Sequence, residues 1–292
     1  MSTILITGAS GQLGSELRDL SSRFSGYTFI FTDVEDLDIT DANQSASFIS
    51  CASPDWIINC AAFTAVDKAE SEAESASRIN ATGVRNIVNA IAGTECRLIH
   101  VSTDYVYDGK KNSPYQEDDP ANPMTVYGRT KLAGEMEALR HPYTMIIRTS
   151  WLYSSYGNNF VKTIMKKAGS SDDISVVFDQ TGTPTYAADL ASAIMEIVSG
   201  TIRNRHVFSP GIFNYANEGV CSWFDFATEI VKAVGSTSNV RPLLTAEWPS
   251  PAARPQYSVF NKKKIKETYN LTIPYWRDSM LKCISKLSKS NG

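Results

Sequence analysis

Residues 4–14 read ILITGASGQLG, and they decide the fold. Ile4, Leu5 and Ile6 are apolar without alternation, the pattern of a strand buried on both faces. Gly8, Gly11 and Gly14 follow at once in a G-x-x-G-x-x-G spacing and open the helical run QLGSELRDLSSRF. Glycine lets a backbone turn tightly and approach a pyrophosphate with no Cβ in the way. A helix N-terminus adds unpaired N–H groups and the positive end of its dipole. Strand before and helix after is the context a dinucleotide-binding loop requires. Ser10, Gln12 and Leu13 lie within this loop and join the three glycines as candidate cofactor-binding residues.

The same alternation continues outward. TFIFTD (28–33), WIINCAA (56–62), RLIHVST (97–103) and TMIIRTS (144–150) read as buried strands. SEAESASRINATGVRNIVNAIA (71–92) and VYGRTKLAGEMEAL (126–139) read as helices between them. Strands separated by helices imply crossover units and a parallel sheet. The expected fold is therefore α/β: a Rossmann-like, doubly wound parallel sheet over residues 1–150. Residues 151–292 are expected to form mainly a smaller C-terminal substrate-binding lobe, with about 174–217 returning to the sheet. ISVVFD (174–179) and IFNYA (212–216) look like strands, AADLASAIMEIV (187–198) and SWFDFATEIVKAV (222–234) like helices. Pro242, Pro249, Pro251, Pro255 and Pro274 gather late, as in a loop-rich lobe.

Composition removes several function classes. The chain has 292 residues, 42% of them hydrophobic, enough for a substantial core. It carries 28 basic and 31 acidic side chains, net −3, with no basic excess that would call for nucleic acid. The short run Lys262, Lys263, Lys264 and Lys266 reads as a solvated face. Cys51, Cys60, Cys96, Cys221 and Cys283 form no C-x-x-C pair, so neither a disulfide framework nor a zinc site is expected. His100, His141 and His206 are isolated, and no metal is expected. No apolar run approaches the ~18 residues of a membrane span. The N-terminus lacks secretory-signal features. A soluble, cytoplasmic protein is the expectation.

Candidate chemistry lies at strand ends. Asp33 closes the second strand, where an acidic residue can accept hydrogen bonds from an adenosine ribose or cap a turn. No arginine follows it to meet a 2′-phosphate, and Asp38 and Ile39 come next beside the adenine position. Tyr127 and Lys131 are four residues apart, on one face of a helix. With 13 tyrosines in the chain, about one such match arises by chance, and Tyr107 with Lys111 is a second one across a D-G turn. The third piece decides between them: Ser102, Thr103 and Asp104 stand at the carboxyl end of a strand just upstream, where ligands bind in such sheets. A nearby ammonium stabilises a phenolate, making Tyr127 a proton donor to a carbonyl under reduction.

In this order, GASGQLG, DITD, NCAAFTAVDKAE, STDYVYDG, VYGRTKLAGE, RTSWLYSSYGNNF, DQTGTPT and ARPQYS resemble the extended short-chain dehydrogenase/reductases, and among them the dTDP-4-dehydrorhamnose reductase family, over residues 8–258. The resemblance implies an NADPH- or NADH-dependent reduction of the C4 keto group of dTDP-4-dehydrorhamnose, the last step of dTDP-rhamnose formation. It implies Tyr127 as proton donor, Lys131 as its partner and Thr103 as the residue positioning the keto group. It places Ala61, Ala62 and Phe63 along the cofactor, together with Ser102, Tyr127 and Lys131. It places Thr64, Thr103, Asp104, Trp151, Asn159 and Arg254 toward the substrate. On residue type alone, Trp151 reads equally as sugar platform or core. Arg254 reads as a bidentate pyrophosphate partner or a surface cation.

The chain departs from the family pattern at Phe63, where histidine or tyrosine is frequent. Members that bind Mg²⁺ do so with glutamates at a homodimer interface. Glu16 matches one of them, but TYAADLAS offers alanine where a second is sought. Among alternatives, a 4,6-dehydratase needs an Asp-Glu pair after the strand-end threonine, and here Tyr105 follows Asp104. An epimerase of the same superfamily, another nucleotide-sugar reductase, or a non-catalytic relative resembling the regulatory subunit of methionine adenosyltransferase are the other readings.

Overall fold

A computed structural model describes residues 1–170 and 173–290. The strands are β1 (Ser2–Thr7), β2 (Tyr27–Thr32), β3 (Trp56–Asn59), β4 (Arg97–Thr103), β5 (Thr144–Thr149), β6 (Leu152–Tyr153), β7 (Asp173–Val177), β8 (Thr181–Gly182), β9 (Thr185–Tyr186), β10 (Gly211–Asn214), β11 (Cys221–Ser222) and β12 (Asn239–Leu243). The helices are α1 (Gln12–Ser21), α2 (Ala42–Ala52), α3 (Val66–Ser71), α4 (Ala73–Ser77), α5 (Gly83–Ala90), α6 (Val126–Ala138), α7 (Phe160–Ala168), α8 (Ala187–Ile202), α9 (Trp223–Ala233), α10 (Lys263–Tyr269) and α11 (Trp276–Ser290).

Six strands form one parallel sheet in the order β10-β5-β4-β3-β1-β2. Side chains on successive strand residues point to opposite faces, and the sequence supplies an apolar residue for each. Ile4, Ile6, Trp56, Ile58, Ile99, Met145 and Ile147 pack with α1 and α8 on one face. Leu5, Ile57, Leu98 and Ile146 pack with α2 and α5 on the other. The uninterrupted apolar runs are thus explained by burial on both sides. The sheet reverses direction of winding between β1 and β3, and its carboxyl ends carry Thr7, Asn59, Thr103 and Thr149.

The remainder builds a second core. Ile164, Ile174, Val176, Phe226, Ile230, Met280 and Ile284 pack together from α7, β7, α9 and α11. Within 174–217, α8 and β10 join the main sheet, whereas β7 pairs in parallel with β12 away from it. The reason is visible in β7: Asp173 and Ser175 are exposed while Ile174 and Val176 are buried, the alternation of a strand with one wet face. The run 71–92 is also not one regular helix. Ser71 ends α3, α4 begins at Ala73, and Arg78–Thr82 form a π-turn before α5. Such single π-turns re-aim side chains, and here Asn80 is the one turned inward.

Candidate active site

The glycine loop forms as its residue types require. Gly8 has φ +64°, and a Cβ there would overlap the backbone of Ala61 at the end of β3. The Gly11 N–H closes the turn on the Gly8 carbonyl at 3.1 Å. No side chain caps α1, so its first N–H groups remain available to an anion. Asp33 grips the loop from β2: its carboxylate accepts from the Ser10 N–H at 2.8 Å and from the Val34 N–H at 2.9 Å. Burial would raise its pKa, but these N–H groups outweigh that and hold it below the ordinary carboxylate value. Asp33 therefore braces the loop while also facing the cleft.

That cleft, about 830 Å³, runs along the carboxyl edge of the sheet. Gly8, Gly11, Gln12, Leu13 and Gly14 line one end, with Asp33, Asp38 and Ile39 beside them. Ala61, Ala62 and Thr64 line the middle, and Ser102, Thr103, Tyr127, Lys131 and Trp151 the other end. The expected Ser10, Phe63, Asp104, Asn159 and Arg254 do not line it. Ser10 contributes its N–H to Asp33. Phe63 packs against the small cluster of Ala69, Ala76 and Tyr127. Asp104 lies buried behind Thr103. Asn159 caps α7, accepting from the Lys162 N–H at 3.2 Å, and donates to Gln12 Oε1 at 3.0 Å. Arg254 pairs with Asp67 at 2.7 Å and also bonds Ser250.

The helix that carries Tyr127 and Lys131 is held unusually close. The Thr125 hydroxyl caps it, accepting from the Gly128 N–H at 3.0 Å. A Cβ on Gly128 would overlap the Tyr105 carbonyl, and one on Gly134 the Asn80 carbonyl. These glycines let α6 press against the turn after β4 and against the π-turn. Asn80 then ties three elements together. Its amide accepts from the Phe63 N–H at 2.9 Å, and donates to the Phe63 carbonyl at 3.1 Å and to Thr130 Oγ1 at 3.0 Å.

Tyr127 is 9% exposed, with the Thr103 hydroxyl beside its phenol. Burial pushes its pKa up to about 12, the Thr103 contact opposes the rise, and the Asp104 charge adds to it. The Lys131 ammonium donates to the Val101 carbonyl at 2.7 Å. One helical turn beyond Tyr127, it reaches β4 rather than the phenol, and the charge acting on the phenol is that of Asp104. Burial lowers the Lys131 pKa to about 8, against the pull of Glu135 and Cys60.

Several functional neighbours carried no recognisable signal. Glu135 binds the buried Arg148 at 2.6 and 2.9 Å and accepts from the Ser102 hydroxyl at 2.5 Å. Ser102 thus lines the cleft with its hydroxyl already committed. Asn59 accepts from the Thr7 hydroxyl at 2.7 Å and donates to His100 Nδ1 at 3.0 Å, a polar ladder beneath the cleft. Trp223 stacks on Trp151 with ring centroids 3.7 Å apart. Trp151 itself has φ +48°, and Gly182 leaves room for its ring.

A cleft that can seat a dinucleotide at its glycine end and meet a carbonyl with a phenol at the other belongs to the short-chain dehydrogenase/reductases, and this is the class the fold and site define. Within that class the RmlD substrate binding domain family matches residues 1–289, and the chain belongs to that family. The dTDP-4-dehydrorhamnose reductase of Aggregatibacter actinomycetemcomitans is 38% identical over 287 residues, 96% of this chain and 97% of that protein. The structure of a dTDP-4-dehydrorhamnose reductase from Clostridium acetobutylicum shares 40% identity and a TM-score of 0.92, over 98% of this chain and 99% of that one. That of the Bacillus anthracis reductase in complex with NADP shares 37% identity and a TM-score of 0.91, over 98% and 100%. Among the described residues, no helix is long and apolar enough to cross a membrane.

Proposed function

We propose that the protein reduces the C4 keto group of dTDP-4-dehydro-β-L-rhamnose to dTDP-β-L-rhamnose with NADPH or NADH. The observation that carries this reading is that Thr103 at the carboxyl end of β4, Tyr127 and Lys131 line the same cleft as the uncapped glycine loop. The residues fit a nicotinamide dinucleotide: a Cβ at Gly8 or Gly14 would meet loop backbone, and no side chain caps the α1 N-terminus. Gly11, Gln12 and Leu13 would hold its pyrophosphate, with Asp38 and Ile39 around the adenosine and Ala61 and Ala62 along the cleft. When bound, that group supplies the hydride that reaches the sugar C4.

Tyr127 gives the proton to the developing alkoxide at O4, and Thr103 holds the carbonyl oxygen beside it. Lys131 supplies positive charge, with two N–H donors beyond the one spent on Val101. The sheet half carries the cofactor and the C-terminal half the sugar nucleotide, with Trp151 and Thr64 at the sugar and Asp104 behind them. Arg254 turns to the diphosphate by exchanging its bond to Asp67 for a phosphate oxygen. Asn159, holding Gln12 and the α7 N-terminus together, keeps the diphosphate end of the cleft in shape. The free cysteines fit a reducing cytoplasm. A homodimer belongs to the same reading and is tested by light scattering at twice the chain mass.

The direct assay follows the reduced-nicotinamide absorbance with dTDP-4-dehydrorhamnose and either NADPH or NADH. The reading requires loss of absorbance with at least one of them. Cofactor binding without turnover would overturn it.

A further inference from the structure

Thr103 has one hydroxyl proton and two neighbours that compete for it. It donates to Asp104 Oδ1 at 3.0 Å, and it lies beside the Tyr127 phenol in the cleft. One of its lone pairs already accepts from the Tyr105 N–H at 3.2 Å. While the Thr103 proton goes to the carboxylate, Thr103 can meet the phenol only as an acceptor. The Tyr127 proton is then drawn toward Thr103 and away from a substrate oxygen.

Asp104 is an unusual partner for such a hydroxyl. It is 2% exposed and its Oδ2 has no hydrogen-bond partner. The groups that face it are the Thr103 hydroxyl, the Tyr105 N–H and ring, the Tyr127 phenol and the Ser258 hydroxyl. Ser258 comes from the segment after β12, is itself 2% exposed, and its Oγ falls short of hydrogen-bond geometry with any group. Arg254, the cation acting on the neighbouring Tyr105, is paired with Asp67. A buried carboxyl flanked by hydroxyls and phenols, with no cation against it, favours the neutral acid.

We propose that Asp104 is a positioning residue for the reduction: as the neutral acid it donates to Thr103 and turns the Thr103 hydroxyl into the donor that holds the reacting carbonyl beside Tyr127. With Asp104 and the Tyr105 N–H both donating to it, the Thr103 oxygen has no lone pair left for the phenol. The phenol proton is released toward the carbonyl, and the Thr103 proton turns the same way. Ionised Asp104 takes the Thr103 proton back and reverses both directions. Burial raises the Asp104 pKa to about 6 against the hydrogen bond from Thr103.

This inference rests on the reading that Thr103 and Tyr127 meet a keto group. Its test is the pH dependence of kcat/KM with dTDP-4-dehydrorhamnose for the wild type, Asp104→Asn and Ser258→Ala. The wild type should lose activity by about tenfold per pH unit above the Asp104 titration, in a step separate from that of Lys131. The asparagine amide donates to Thr103 at every pH, so the residual activity of Asp104→Asn should lack that step. Ser258→Ala should keep the step, because the Ser258 hydroxyl makes no hydrogen bond to the carboxylate. An Asp104→Asn enzyme whose KM rises while the wild-type step persists would mark a plain sugar contact and overturn the inference alone. So would loss of the step in Ser258→Ala. Absence of turnover by the wild type would overturn the functional reading and this inference with it.

Discussion

Glu135→Gln should destabilise the protein and disarm Lys131 together. Glu135 and Arg148 are 2% and 3% exposed and meet at 2.6 Å. The substitution takes the carboxylate charge and one of its two acceptor oxygens from the buried guanidinium, whose other partners are the Tyr107 hydroxyl at 2.7 Å and the Glu117 carbonyl at 3.4 Å. Breaking one side of such a pair costs about 3–5 kcal/mol, a large share of the ~5–15 kcal/mol that stabilises a domain. Urea unfolding should therefore show a lower midpoint with an unchanged slope. The partner change Arg148→Met, combined with Glu135→Gln, removes both charges and should recover much of the loss. The same glutamate raises the Lys131 pKa from one helical turn away. Its removal should move the alkaline loss of activity to lower pH. A loss under about 1 kcal/mol, or strictly additive losses in the double variant, would refute the claim that this pair acts as a buried unit.

Three further outcomes follow from the same site. Lys131, held near pKa 8 by burial, is charged below that pH, so kcat/KM should fall as pH rises through about 8. A wild-type profile flat from pH 7 to 9 would contradict it. Asp104 has a folded pKa raised to about 6 from 3.8, so the native state binds its proton more tightly. Its contribution to stability is greatest below the unfolded value and is lost as pH rises through about 6. Asp104→Asn should accordingly be more stable than wild type at pH 8, by up to ~3 kcal/mol, with the gain gone by pH 4 in matched urea titrations. Tyr127→Phe should lose ~10²–10⁴-fold in turnover while retaining cofactor affinity by fluorescence titration, and wild-type rates would contradict the role given to the phenol.

The parts of the site that sequence made legible are local. Gly8 to Gly14, the strand-end Thr103 and the helical Tyr127 and Lys131 each combine a residue type with an element boundary, and both can be read along the chain. The sheet was legible because Ile4–Ile6, Trp56–Ile58 and Met145–Ile147 are apolar on both faces. What escaped depends on distant partners. Asn80 reads as one polar residue in a helical run, and its inward turn comes from a π-turn that periodicity does not signal. Glu135 looks like an exposed helix charge until Arg148 arrives from β5. Trp223 and Ser258 meet Trp151 and Asp104 only through the packing of the second lobe. β7 was legible as a strand, but its partner β12 lies over 60 residues away and contains Pro242, which weakens the strand pattern. Arg254 and Asn159 show the converse: the residues were singled out, yet their contacts with Asp67 and Gln12 could not be seen from spacing.

The central claim is that hydride goes to the C4 carbonyl of the sugar and a proton from Tyr127 to its oxygen. It is tested most directly with a reduced cofactor deuterated at the transferred position of nicotinamide C4, incubated with dTDP-4-dehydrorhamnose and the protein. NMR of the product should show one deuterium at sugar C4, in dTDP-rhamnose, with one cofactor oxidised per sugar. Deuterium at another carbon, or a changed sugar with no net cofactor oxidation, would contradict the account.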